Sequence, residues 1–126
     1  MSNKSTIVLD LDGTLTVDDN EHSYPDKLVQ NQVKFAAIAA RRAGYLIHIH
    51  TARNMRTYSG NLQKILDNTK PICEKWLDDN EIEYDALTFG KPWSGVNGCY
   101  VDDKGISIEE FIFKFNGPLR NKTVDI

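Results

Sequence analysis

The stretch Ile7-Val8-Leu9-Asp10-Leu11-Asp12-Gly13-Thr14-Leu15-Thr16 decides the fold. Residues 6–9 are short, apolar and β-branched, which predicts a buried strand. Two aspartates one residue apart end the run, followed by a glycine and hydroxyl side chains. Such a strand places two carboxylates at one sheet edge. That is costly unless a cation or a reaction uses them.

Working outward, helical and strand patterns alternate. Asp26 is placed to cap a helix over 26–42, with Leu28, Val29, Val33, Phe35, Ala36, Ala37, Ile38 and Ala40 as its apolar face and Gly44 as its stop. Residues 45–50 read as a second strand. A helical turn is expected around Leu62, Ile65 and Leu66, and Thr69 with Pro71 opens a helix ending near Asn80. Residues 84–89 predict a third strand, 99–101 a very short fourth, and 107–115 a closing helix with Ile108, Phe111, Ile112 and Phe115 on one side. Alternation of this kind predicts an α/β fold with a parallel sheet and right-handed crossovers. Ligands then bind beyond the carboxyl ends of the strands.

The unusual polar residues fall at those ends. Asp10 and Asp12 follow strand one, Thr51 strand two, Lys91 strand three, and Asp102 and Asp103 strand four. A parallel sheet brings all four ends to one edge, where four carboxylates face one ammonium. Like charges at close range need a counter-ion, and hard oxygen ligands at an open edge suit Mg²⁺ together with a substrate phosphate. An aspartate can attack phosphorus, and a second carboxyl can shuttle the proton. A hydroxyl and an ammonium can clamp the remaining phosphate oxygens.

Composition agrees with one soluble domain. The 126 residues carry a net charge of −3, which argues against a nucleic-acid or membrane-surface partner. No run is apolar enough for a membrane span, and residues 1–5 carry no signal-peptide pattern, so a cytoplasmic location is expected. Cys73 and Cys99 read as two reduced thiols.

Together the four segments resemble the haloacid dehalogenase (HAD) superfamily of phosphatases. Asp10-Leu11-Asp12-Gly13-Thr14 matches the first motif of that family, Thr51 the second, Lys91 the third and Asp102-Asp103 the fourth. The resemblance implies a three-layer Rossmann-like fold around a central parallel sheet. By it, Asp10 is the nucleophile and a Mg²⁺ ligand. Asp12 is the general acid/base and binds the metal through its main-chain carbonyl. Thr51 and Lys91 hold the phosphoryl group, Asp102 binds metal, and Asp103 supports the metal or Lys91. Residues 90–95 and 98–103 further resemble small members assigned to capsule or polysaccharide biosynthesis, so a sugar phosphate or related metabolite is the expected substrate.

The chain also departs from the family. Lys104-Gly105-Ile106-Ser107 replace the further acidic residue many relatives carry. The segments after strands one and two leave no room for a cap domain. A capless site lies open, so a homo-oligomer, dimer or tetramer, with a neighbour covering the site is expected. Arg53 and Arg56 follow Thr51 closely, and arginine suits phosphate recognition; Arg53 is the stronger substrate-binding candidate. Trp93 either stacks on a sugar or base or packs under its loop. His48 and His50 share one strand face and read as packing residues.

Two other functions compete with hydrolysis. A receiver-like phospho-switch needs an aspartate after strand three and has no place for Asp102 and Asp103. A non-catalytic relative that only binds a phospho-ligand is disfavoured because no required group is missing.

Overall fold

Ile7 and Leu9 share one face of strand β1 (Thr6–Leu9), and Thr6 and Val8 the other. In this computed structural model, which describes residues 5–95, 97–102 and 104–116, the first face is covered and the second is not. Leu9 is buried, whereas Val8 is 64% exposed. β1 pairs in parallel with β2 (Leu46–Thr51), Val8 opposite His48. β2 pairs in parallel with β3 (Ala86–Phe89), Ile49 opposite Leu87. The sheet order is therefore the chain order, β1-β2-β3.

Helix α1 (Asn31–Arg42) returns the chain from β1 to β2, and α2 (Leu62–Asn68) with α3 (Lys70–Asp79) returns it from β2 to β3. Helix α4 (Ile108–Phe115) packs on α1. Val33, Ala36, Ala37 and Ala40 of α1, Cys73, Trp76 and Leu77 of α3, and Phe111 of α4 join Leu9, Ile47 and Ile49 in one core. Each fully buried Ile or Leu contributes about 1.5–3 kcal/mol. The other sheet face carries Thr6, Val8, His48, His50 and Thr88, none of them buried. Thr88 Oγ1 lies 2.7 Å from both His48 Nε2 and His50 Nδ1.

Three expectations need correction. The first is the fourth strand. Residues 99–101 lie outside regular structure with Val101 93% exposed, so they do not extend the sheet beyond β1. The second follows from it. Two right-handed crossovers running the same way along the sheet put their helices on one face. The described residues accordingly form two layers, an α/β arrangement compatible with a Rossmann-like fold, rather than three.

The third correction is the start of α1. Leu28 and Val29 are extended instead of helical, because Val17 N donates to Leu28 O at 2.8 Å and Gln30 N to Leu15 O at 2.7 Å. Asp26 closes a short 3-10 turn, and Gln30 takes the N-cap position of α1.

The closing helix behaves as expected. Ser107 Oγ accepts from Glu110 N and Glu110 Oε1 accepts from Ser107 N, a full capping box. No helix among the described residues is long and apolar enough to cross a membrane.

Candidate active site

Past β1 the chain turns tightly around one carbonyl. Leu11 O accepts from the amides of Thr14, Leu15 and Thr16 at 3.3, 3.0 and 3.1 Å. Gly13 makes the turn possible with φ of 78°, a backbone state that side-chain-bearing residues rarely adopt. Its N–H donates to Thr16 Oγ1 at 3.0 Å. Leu11 is buried, so Asp10 and Asp12 flank an anchored residue and both line a cleft of about 460 Å³.

Four other expected residues line the same cleft. Thr51, Arg53, Lys91 and Trp93 are all in its walls. Thr51 ends β2 and is only 1% exposed. Its Oγ1 accepts from Arg53 N at 3.0 Å, which leaves the hydroxyl proton to be donated. Lys91 is placed by Gly90, whose φ of 96° turns the chain out of β3, and by a bond from Lys91 N to Thr51 O at 3.3 Å. Lys91 Nζ stands 3.9 Å from Asp10 Oδ1 and 4.3 Å over the Tyr100 ring. Burial holds the Asp10 carboxyl above its ordinary value, against the opposing pull of the Lys91 ammonium.

Arg53 is arranged in a way its sequence position did not reveal. It lines the cleft, yet its side chain is fully buried and forks onto Asp12, Nη2 at 2.6 Å from Oδ1 and Nε at 3.0 Å from Oδ2. Nη1 donates to Cys73 Sγ at 3.3 Å, and the guanidinium lies 4.0 Å from the Tyr24 ring centre. Desolvation presses the guanidinium toward losing its proton, but the Asp12 carboxylate outweighs that and raises its pKa. Burial also pushes the Cys73 thiol up to about 11. Proximity to Thr51 was the only sequence signal for Arg53. Nothing local marked Tyr24 or Cys73 as its companions, or Tyr100 as a companion of Lys91.

Of the fourth segment, Asp102 is not assembled with the others. Asp102 is exposed, absent from the cleft walls, and occupied in a turn where its Oδ1 accepts from Lys104 N at 2.8 Å. Asp103 lies outside the described residues. No group of three or more His, Cys, Asp or Glu residues suited to a metal occurs among the described residues. Two donors do suit Mg²⁺, which keeps most of its waters. The half-buried Asp10 carboxylate is met by one cation at 3.9 Å, and the Asp12 carbonyl follows two residues on in the chain.

No protein-family model matches the chain, and no curated protein matches it. Solved structures do. Two structures of a Pnkp1/Rnl/Hen1 complex, one described as an RNA repair complex, share the fold with TM-scores of 0.53 and 0.52. Identity to them is 20% and 17%, and the match covers 90% and 88% of this chain but 34% and 30% of theirs. None of the matched structures bears a name tied to capsule or polysaccharide synthesis. A crystal structure of a target protein from Vibrio cholerae superposes with a TM-score of 0.84 at 38% identity. With that match covering 93% of this chain and 94% of the other, the chain belongs to the same family as the Vibrio cholerae protein.

Proposed function

We propose that this protein is a Mg²⁺-dependent phosphate monoester hydrolase of the HAD type that works through a phosphoaspartate at Asp10. The observation that carries the reading is the meeting of Asp10, Asp12, Thr51 and Lys91 in one cleft from three separate strand ends. Bound Mg²⁺, held by Asp10 and the Asp12 carbonyl, and by Asp102 once that side chain leaves its turn with Lys104 N and reaches the cleft, would neutralise charge on the phosphate and the carboxylates. Asp10 attacks phosphorus while Lys91 and the Thr51 hydroxyl hold the phosphate oxygens. Asp12 protonates the leaving oxygen, then takes a proton from the attacking water. Both Asp12 oxygens accept from Arg53, so proton transfer to the leaving oxygen requires that fork to loosen.

The small open cleft and the resemblance to polysaccharide-biosynthesis phosphatases point to a sugar phosphate or related metabolite as substrate. The net charge of −3 speaks against a nucleic-acid end, even though the fold is shared with chains of an RNA repair complex. A second copy of the chain covering the cleft belongs to the same proposal, and light scattering tests it.

The decisive experiment is a panel of phosphate esters with and without Mg²⁺. Wild-type protein should release phosphate only with the metal, and Asp10→Asn should lose turnover by orders of magnitude with its fold intact. Full activity of Asp10→Asn, or indifference to EDTA, would reject the assignment.

A further inference from the structure

Among the described residues three cations reach the cleft, and two of them face its carboxylates. Arg53 forks onto Asp12, and Lys91 stands beside Asp10. Arg56 differs. Its guanidinium lies 5.0 Å over the Trp93 ring, lines the cleft, and makes no hydrogen bond or ion pair among the described residues. Stacking on an indole orients the guanidinium but consumes none of its five N–H donors.

The mount is held on both sides. On the Arg56 side, Asn54 adopts a φ of 61° and its Oδ1 accepts from Thr69 Oγ1 at 2.7 Å. The loop closes through Tyr58 N to Asn54 O at 3.0 Å and Gly60 N to Met55 O at 2.9 Å. On the Trp93 side, Tyr100 ties the loop. Its hydroxyl donates to Pro92 O at 2.7 Å and accepts from Ser94 N at 3.2 Å.

Thr51 is buried at the floor of the cleft while Arg56 and Trp93 are exposed at its mouth. A phosphate held at the floor leaves the mouth cation for a different group. A planar guanidinium with free donors suits an oxyanion that accepts two parallel bonds. We propose that Arg56, stacked on Trp93, forms a second anion subsite that selects phosphate esters whose leaving group carries a further carboxylate or phosphate. The proposal rests on the hydrolase reading for the first phosphate.

The test uses matched pairs: glycerol phosphate against phosphoglycerate, sorbitol phosphate against phosphogluconate, and a hexose monophosphate against a hexose bisphosphate. Wild-type protein should prefer the doubly anionic member of at least one pair by about ten- to a hundred-fold in kcat/KM. Whether a carboxylate or a phosphate pair shows the effect identifies the group. Arg56→Met, which keeps the stem, should bring that ratio close to one. Arg56→Lys, which keeps charge but loses the flat fork, should retain only part of it. Equal turnover within every pair, or a preference that survives Arg56→Met, overturns the proposal. The second result would mean that the extra anion is held elsewhere. Calorimetric Kd ratios for the same pairs in EDTA provide a readout free of turnover. If no ester is hydrolysed with Mg²⁺, the hydrolase reading fails and the Kd ratios alone decide the subsite by the same two criteria.

Discussion

Replacing Arg53 by methionine keeps most of its buried stem and deletes the guanidinium that forks onto Asp12. Removing one member of a sealed ion pair costs about 3–5 kcal/mol, because the survivor stays charged and dry. Here the survivor is not sealed: the Asp12 side chain is 34% exposed, against 0% for Arg53. Water can take over part of the lost contact, which lowers the expected cost of Arg53→Met to about 2 kcal/mol. In a chain of 126 residues that is a fall in midpoint of roughly 6–10 °C.

The reverse change should cost more, although it is nearly isosteric. Asp12→Asn leaves a guanidinium that cannot lose its proton in a site without water, at about 3–4 kcal/mol. The double variant should recover about 2 kcal/mol of the summed losses. Urea unfolding of the four proteins in EDTA, followed by circular dichroism, measures all three quantities. If Arg53→Met is the more damaging change, or the coupling is below about 0.5 kcal/mol, the fork is not the contact described.

Burial holds Asp10 above its ordinary value of 3.8, so the folded state keeps a proton that the unfolded chain releases. Its contribution to stability is therefore lost as pH rises from 3.8 toward the raised value. Metal-free Asp10→Asn should unfold at higher temperature than wild type at neutral pH and at the same temperature near pH ~3; no gain at neutral pH contradicts the burial. Cys73 is buried with its thiol pushed up to about 11, while Cys99 is exposed. A thiol reagent at neutral pH should therefore modify one cysteine in the native chain and both after unfolding, and mass mapping should find the first label at Cys99. Gly90→Ala forces a side chain into a φ of 96° and brings its Cβ within 3.0 Å of Leu62 Cδ2. It should lower stability by about 1–3 kcal/mol and displace Lys91; a neutral effect in thermal unfolding would show that the turn tolerates L-residues.

Much of the cleft was legible because its residues follow strands that announce themselves locally. Ile7 to Leu9 and Ile47 to Ile49 need no distant partner to be recognised, and Asp10, Asp12 and Thr51 follow by counting. Ser107 and Glu110 likewise name their helix start within four residues. Leu28 and Val29 misled because their apolar spacing fits a helix, while the contact that extends them comes from Leu15 and Val17. Cys99 to Val101 misled for the opposite reason. Three apolar residues suffice to suggest a strand, but strand formation depends on an edge to pair with, and here they remain apart from β1. The Arg53 fork spans 41 residues in sequence and depends on which way one buried side chain points, which no local pattern encodes.

The chain-order sheet also bears on how the cleft is assembled during folding. Val8 pairs with His48, so forming the β1–β2 ladder closes a loop of about forty residues. Asp12 and Arg53 sit just beyond the carboxyl ends of the two paired strands. Once the ladder exists, their fork adds little further loss of chain entropy, and Thr51 arrives at the same time. Lys91, Trp93 and Tyr100 wait for a second closure, when β3 joins β2. The first β-α-β unit thus carries both aspartates, the threonine and the arginine. A nascent chain that has emerged only as far as α2 already holds most of the cleft, with Lys91, Trp93 and Tyr100 as the last parts to arrive.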